Sequence, residues 1–293
     1  MSATEKGSLA GMRLLAWLAL SVGRWPTRLI VRAVALWYTL LHPGVRRASA
    51  SWWRKILHRE PTLREIYQHV LRFAQTALDR IFLLKGRVDL FEFTHTGHEN
   101  MAQLRAQNRG AILLSAHLGS PSAMSAEGGD QRLRIHIVGY FKNAKMINAI
   151  MANVNPQSQT RVVHIEPGST ASVLLMRDRI EAGDMLALAA DRIGIGDRTA
   201  QVDFLGEKAA FPTGPFLLAS VLKCPVLLVF GLYREPNHYD LYCEPFADRI
   251  DLPRKNREEA MRDWLQKYAQ RLEYYARKAP DNWFNFFDFW HKP

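Results

Sequence analysis

The sequence predicts an α/β fold with a central mixed, mainly parallel sheet flanked by helices. After Gly86, short apolar runs of β character alternate with runs of helical periodicity, the pattern of strands joined by helices that cover both faces of a sheet. The chain has 293 residues with 48% hydrophobic content, enough for one large α/β domain or two small ones. Because no repeat or low-complexity linker divides it, we expect one α/β domain over residues 61–293, preceded by a helical segment over residues 1–60.

The helical segment, residues 1–60, is both basic and apolar. It carries ten Lys or Arg residues against two acidic ones, which is most of the net charge of +11. A spanning helix needs about 20 consecutive apolar residues, and four arginines interrupt every candidate run: Arg13, Arg24, Arg28 and Arg32. We therefore expect membrane-docking helices that lie in the interface of an anionic membrane, with arginines at lipid phosphates. Four tryptophans are expected at headgroup depth: Trp17, Trp37, Trp52 and Trp53. A buried helical hairpin is the alternative.

The α/β domain is predicted to begin with an amphipathic helix over residues 61–85, where apolar side chains recur at helical spacing. Eight strand-like runs follow, at residues 91–97, 110–117, 134–141, 161–166, 184–191, 200–206, 224–234 and 238–246. Further helices are predicted at residues 144–154, 169–181, 216–222 and 256–278.

Several function classes are disfavoured by the residue pattern. The two cysteines, Cys224 and Cys243, lack CxxC spacing, so neither a disulfide framework nor a zinc site is indicated. The excess positive charge is interleaved with Leu and Trp rather than set on a polar helix face, which disfavours nucleic acid as a partner. The loop GIGDRT lacks the third glycine of a dinucleotide-binding loop.

His117 is the first candidate functional residue. It follows the buried strand-like run AILLSA and precedes a turn at Gly119, and ligands of α/β sheets bind beyond the carboxyl ends of the strands. An imidazole at that position can take a proton from a hydroxyl group near neutral pH. A structural histidine is the alternative.

A second candidate region covers residues 187–215. One strand-like run ends in Asp191 and Arg192, and a proline-glycine turn over residues 211–215 precedes an apolar helix. Arg192 can hold a phosphate with its guanidinium fork, and backbone amides at the helix start can bind an oxyanion. Two ordinary loops with a surface Asp-Arg pair are the alternative.

The order of these motifs, together with FLGEKAAFPTGP and the terminal NWFNFFDFW, resembles the lysophospholipid acyltransferase superfamily, on the side of the bacterial lipid A biosynthesis acyltransferases. The resemblance implies an enzyme that moves an acyl chain from acyl carrier protein or coenzyme A onto a hydroxyl or amine of a lipid acceptor. It also implies a peripheral or monotopic location on the cytoplasmic face of the bacterial inner membrane. No metal or bound organic cofactor is expected, because the thioester donor is already activated.

The family signature H-x4-[DE] maps its histidine, the general base, onto His117 and its carboxylate onto Ser122. Three explanations stay open. The Ser122 hydroxyl orients the imidazole, or Glu127 or Asp130 supplies the charge, or the chain is a lipid-binding pseudo-enzyme or substrate-trapping variant. A hydrolase, with water in place of the acceptor, is a further possibility.

The resemblance also assigns substrate-binding residues. Arg192 is expected to position a phosphate of the donor or acceptor, with Asp191 orienting it. Phe211, Thr213 and Gly214 correspond to a turn near the acceptor site. The aromatic tail, residues 283–290, is expected to cover the active-site groove, to rest on lipid or to pack on the core.

Overall fold

The computed structural model describes residues 9–127, 134–139, 162–164, 169–194 and 197–290. Within these ranges the helices are α1 (Leu9–Val22), α2 (Arg24–Leu41), α3 (Pro43–Leu57), α4 (Leu63–Leu84), α5 (Glu99–Ala106), α6 (Pro121–Glu127), α7 (Thr170–Glu181), α8 (Gly214–Leu222) and α9 (Arg257–Lys278). The strands are β1 (Glu92–Thr96), β2 (Ala111–Ser115), β3 (Ile135–Gly139), β4 (Val162–His164), β5 (Met185–Ala189), β6 (Thr199–Phe204), β7 (Glu207–Pro212), β8 (Val226–Arg234) and β9 (His238–Ala247). The helix predicted at 144–154 lies outside the described residues.

Seven of these strands form one sheet in the order β1-β9-β8-β2-β5-β3-β4. Strands β8, β2, β5, β3 and β4 are parallel to one another, whereas β9 pairs antiparallel with β8 and parallel with β1. The predicted α/β class, with a mixed and mainly parallel sheet flanked by helices, is confirmed. The carboxyl ends of β2 and β5 lie side by side, because Ser115 pairs with Ala189 in the parallel register.

Strand β7 was not predicted from the sequence. It pairs with β6 in an antiparallel hairpin outside the main sheet. Leu205 and Gly206 connect the two strands and both have positive φ, 53° and 83°, as a two-residue turn of the I′ type requires. The β7 segment EKAAFP does not alternate polar and apolar residues, and its last four residues are buried. The sequence pattern of a half-exposed strand is therefore missing.

Helix α4 begins at a capping motif in its own sequence. Thr62 and Glu65 form a capping box, in which the Thr62 hydroxyl accepts from the Glu65 backbone N–H and the Glu65 carboxylate accepts from the Thr62 N–H at 2.7 Å. The helix predicted over residues 61–85 therefore occupies Leu63–Leu84.

The N-terminal helices are joined to the α/β core by buried contacts. Trp52 on α3 stacks on Trp283, with ring centroids 5.0 Å apart, and its indole N–H donates to the Pro280 carbonyl at 2.8 Å. Trp53 is buried in the same cluster. The expectation that Trp52 and Trp53 lie at headgroup depth was therefore wrong, because both rings are buried inside the protein.

Two arginines of α2 also point inward rather than toward lipid. Arg24 forms a bidentate pair with the buried Asp79 of α4, at 2.7 and 3.0 Å. Arg28 donates to the Tyr233 hydroxyl at 2.8 Å and pairs with Glu235 at 3.0 Å. The expectation that these two arginines contact lipid phosphates was wrong, because both side chains are buried and are held by protein carboxylates and the Pro236 carbonyl.

The opposite faces of α1 and α2 carry exposed apolar side chains, which we call the apolar face. Its members are Leu14, Trp17, Leu20, Val22, Trp25, Leu29, Ile30, Val34, Leu36, Trp37, Leu40 and Leu41. Among the described residues, no helix combines the length and hydropathy that crossing a membrane requires.

Candidate active site

The loop after β2 holds His117 at the carboxyl edge of the sheet. The Gly119 N–H donates to the Asn282 carbonyl at 2.9 Å, and the Ser120 N–H donates to the Gly231 carbonyl at 2.7 Å. Gly119 has φ of +75°, and a Cβ there would lie 2.1 Å from the Gly231 oxygen, so only glycine allows this approach. The loop is thereby fixed between β8 and the C-terminal tail.

A carboxylate lies directly beside the imidazole. His117 Nδ1 is 2.8 Å from Asp191 Oδ1, and the His117 backbone N–H donates to Asp191 Oδ2 at 2.9 Å. The two residues meet because each lies two positions beyond the paired residues Ser115 and Ala189 of adjacent parallel strands. The His117 side chain is 34% exposed while Asp191 is fully buried. The arrangement presents one imidazole edge to the surface and the other to a buried acid.

The Asp191 carboxylate is held in its ionised form. Burial works to raise its pKa, but the adjacent His117 and the positive charge of Arg192 outweigh that effect, so the pKa of Asp191 lies below its ordinary value. An ionised carboxylate only accepts hydrogen bonds, so it selects the imidazole form that carries a proton on Nδ1. In the neutral imidazole, Nε2 is then free to accept a proton.

Ser122, the residue at the family's carboxylate position, is not the group that contacts the His117 imidazole. Ser122 lies in α6, and its hydroxyl makes no hydrogen bond to His117 in the described part of the chain. Asp130 and the side chain of Glu127 lie outside the described residues. The carboxylate that contacts the imidazole comes instead from Asp191, which the sequence interpretation had assigned to orienting Arg192.

Arg192 contacts Asp191 through a third residue, Asn285. Its Nε donates to the Asn285 Oδ1 at 2.6 Å and its Nη2 donates to the Phe284 carbonyl at 2.9 Å. The Asn285 Nδ2 in turn donates to Asp191 Oδ2 at 2.7 Å. One edge of the guanidinium group is therefore engaged by the protein itself.

Most of the chain matches a known protein family. A family model described as "Bacterial lipid A biosynthesis acyltransferase" matches residues 58–292. The chain belongs to this family. It is an acyltransferase of the lipid A type, as the motif resemblance predicted. Comparison with curated proteins finds no significant match.

The expected acceptor turn of this acyltransferase is divided between two elements. Phe211 lies in β7, and its buried ring packs against Phe204 and Tyr268. Thr213 precedes α8, and its N–H and hydroxyl both donate to the Arg198 carbonyl. Gly214 begins α8 with open space around it. In the described structure, no hydrogen bond joins these residues to His117.

The C-terminal tail contributes more contacts to the His117 loop than its sequence indicated. The Phe284 N–H donates to the His117 carbonyl at 2.7 Å, and Trp283 pairs with Leu118 in a short β-bridge. Of the three alternatives for the aromatic rings, packing on the core describes Trp283 and Phe289, whereas Phe287 is exposed. Asn285 was missed, although a buried asparagine within an aromatic run is a signal of a polar contact.

In the described residues, no group of three or more His, Cys, Asp or Glu side chains is arranged to hold a metal ion.

The buried His69 of α4 makes hydrogen bonds inside the protein. Its Nδ1 meets the Ser49 hydroxyl at 2.9 Å and its Nε2 meets the Trp283 carbonyl. Burial lowers the pKa of His69 to about 4, so it stays neutral in the folded protein near neutral pH.

Proposed function

We propose that this protein transfers an acyl chain from a thioester of acyl carrier protein or coenzyme A to a hydroxyl or amine of a lipid acceptor, with His117 as general base. The observation that carries the proposal is the 2.8 Å contact between His117 Nδ1 and the buried Asp191 carboxylate. A base needs an exposed nitrogen, a fixed tautomer and a group that stabilises the imidazolium. This pair supplies all three.

The transfer follows from this geometry. His117 Nε2 takes the proton of the acceptor hydroxyl or amine as the acceptor oxygen or nitrogen attacks the thioester carbonyl carbon. The resulting imidazolium is stabilised by the ionised Asp191. Collapse of the tetrahedral intermediate breaks the carbon–sulfur bond, and the imidazolium returns its proton to the departing thiolate. The enzyme ends in its starting protonation state.

The position of Asp191 bears on the alternative functions. A lipid-binding pseudo-enzyme or substrate-trapping variant was considered because Ser122 occupies the family's carboxylate position. That argument loses its force when another carboxylate already contacts the imidazole. We therefore favour the transferase, in which Asp191 takes the role of the missing acid and Ser122 is not required as the orienting group.

We also propose that the apolar face docks in the interface of an anionic membrane, which for a bacterial protein using cytoplasmic thioester donors is the cytoplasmic leaflet of the inner membrane. The face contains three exposed tryptophans, Trp17, Trp25 and Trp37, the residue type that favours headgroup depth. Arg13 and Arg32 are exposed on the same helices and can reach lipid phosphates.

The transfer is tested with purified protein, a total bacterial lipid extract and either acyl-carrier protein or acyl-CoA, read by mass spectrometry. We expect lipids that gain the mass of the donor's acyl chain, and loss of that product in His117→Ala. His98→Ala, a change at an exposed histidine, is the matched control and should transfer normally. Free fatty acid in place of acylated lipid would indicate a hydrolase. Equal product from the native and His117→Ala proteins would refute the assignment of the base.

Membrane docking is tested separately by sedimentation with vesicles of anionic or zwitterionic lipid. Leu29→Asp should weaken vesicle binding, because Leu29 is 64% exposed within the apolar face. Leu174→Asp is the matched control, since Leu174 is 53% exposed on α7 and should leave binding unchanged. Equal effects of the two substitutions would contradict docking through the apolar face.

A further inference from the structure

Asn285 is a buried residue of the C-terminal tail that touches both polar residues following β5. Its Nδ2 lies 2.7 Å from Asp191 Oδ2, and its Oδ1 lies 2.6 Å from Arg192 Nε. The side chain is almost completely enclosed. No feature of the family signature points to it, and its distance from Asp191 in sequence is 94 residues.

The chemistry of its neighbours fixes the orientation of the Asn285 amide. Arg192 Nε can only donate a hydrogen bond, so the amide atom that faces it must be oxygen. The NH2 group then faces Asp191, whose ionised carboxylate can only accept. Both contacts are satisfied in this one orientation and both would be repulsive in the flipped one.

We propose that Asn285 is a positioning residue of the acyl-transfer reaction, which holds the Asp191 carboxylate in the rotation that directs Oδ1 at His117 Nδ1. This inference rests on the proposed role of His117 as base. The terminal torsion of an aspartate is soft, so both carboxylate oxygens need partners to define it. Among the described residues, Oδ1 is bound only by the imidazole itself, and Oδ2 is bound by the His117 N–H and by Asn285.

Asn285 is the only one of these described partners that does not belong to residue 117. It therefore anchors the carboxylate to a second part of the chain, so that the acid does not simply follow movements of the His117 loop. It also carries the influence of Arg192 to Asp191, because a guanidinium that donates to the amide oxygen polarises the amide N–H groups. A buried carboxylate requires such donors, since unpaired burial of the charge is costly.

The decisive variant is Asn285→Asp, which has nearly the same shape. It keeps an acceptor for Arg192 Nε but places a carboxyl oxygen against Asp191 Oδ2. At pH 8 two adjacent carboxylates repel each other, whereas at lower pH such a pair shares one proton and the hydrogen bond is restored. We expect kcat at pH 8 to fall on the order of 10- to 100-fold with KM unchanged.

The pH dependence separates positioning from a merely structural role. The kcat of Asn285→Asp, divided by that of the native enzyme at each pH, should rise as the pH falls from 8 to 5.5. The same ratio for Asn285→Leu, which cannot regain a donor, should stay low throughout. Tyr274→Ala, a change at an exposed position of α9, is the control and should keep native kcat. Parallel, pH-independent losses in Asn285→Asp and Asn285→Leu would overturn the proposal.

A measurement without turnover keeps the test independent of the proposed reaction. The His117 Nδ1 proton, bound to a buried carboxylate, should give a far-downfield proton resonance that exchanges slowly with water. We expect faster exchange in Asn285→Leu than in the native protein, with folding verified by thermal unfolding. Unchanged exchange in a folded variant would refute the role of Asn285 even if acyl transfer is demonstrated. Absence of transfer with altered exchange would instead refute only the proposed reaction.

Discussion

Replacing Asp191 by asparagine tests the central feature of the site, because it removes the charge and keeps the shape. Three N–H groups are directed at the Asp191 carboxylate: the His117 N–H and Asn285 Nδ2 meet Oδ2, and His117 Nδ1 meets Oδ1. An asparagine offers only one oxygen. Placing that oxygen at the Oδ2 position keeps two hydrogen bonds, so its NH2 group must face the imidazole.

The imidazole then has to accept on Nδ1, which moves its proton to Nε2. In that tautomer Nε2 cannot take the proton of the acceptor. The same exchange in the serine-protease triad costs about 10⁴-fold in kcat, equal to about 5 kcal/mol of transition-state stabilisation. We therefore expect Asp191→Asn to lose about 10⁴-fold in acyl transfer, measured by mass spectrometry of acylated lipid, with KM for both substrates nearly unchanged.

The matched control lies before the same strand. Asp184 immediately precedes β5, is fully buried and meets His136 Nε2 at 2.8 Å. Asp184→Asn should cost stability in a urea unfolding experiment but leave kcat within a few-fold of native. The reasoning would be refuted if Asp191→Asn kept more than a tenth of the native kcat, or if Asp184→Asn lost as much.

Three further outcomes follow from the structure. Ser122→Glu should raise transfer less than about tenfold in the same assay, because the imidazole of His117 already has a carboxylate partner; a larger gain would show that the serine disables the site. Trp52→Ala should lower the free energy of unfolding by about 3–5 kcal/mol, measured in urea, because it removes a buried ring stacked on Trp283; a loss under 1 kcal/mol would contradict that packing. Between pH 6.5 and 4 the unfolded chain binds a proton at His69 that the folded protein, in which burial lowers the pKa of His69 to about 4, does not bind. Stability should thus fall as the pH decreases, by about 3 kcal/mol from this residue, and His69→Gln should show a correspondingly smaller loss across that range.

Much of the fold could be predicted from local patterns in the sequence. The periodicity of residues 61–85 predicted α4, because its capping residues and apolar spacing lie within one segment of chain. Eight strand-like runs correspond to β1 to β6, β8 and β9. Strand β7 escaped prediction, because burial of both of its faces removes the alternation that marks a half-exposed strand.

The orientation of the N-terminal helices could be predicted only in part from the sequence. The sequence showed basic and apolar residues interleaved, and it could not show which arginines have buried partners. Arg24 turns inward because Asp79, 55 residues away, offers a carboxylate inside the protein. The aromatic tail likewise covers Trp52 from a distance of 231 residues in the chain. These contacts depend on which surfaces meet in the folded protein, and the local composition of a segment does not specify them.

The sequence by itself determined the strand that precedes His117, the strand that precedes Asp191, and the family that their motifs resemble. Only the tertiary structure decided that these two ends are neighbours. The reason is physical: the hydrophobic pattern of a strand specifies burial but not its neighbour, and β2 and β5 become adjacent through the crossovers of the sheet. The same assembly brings Asn285 from the C-terminal tail to the carboxylate, and a spacing rule such as H-x4-[DE] cannot detect a partner that arrives from another strand.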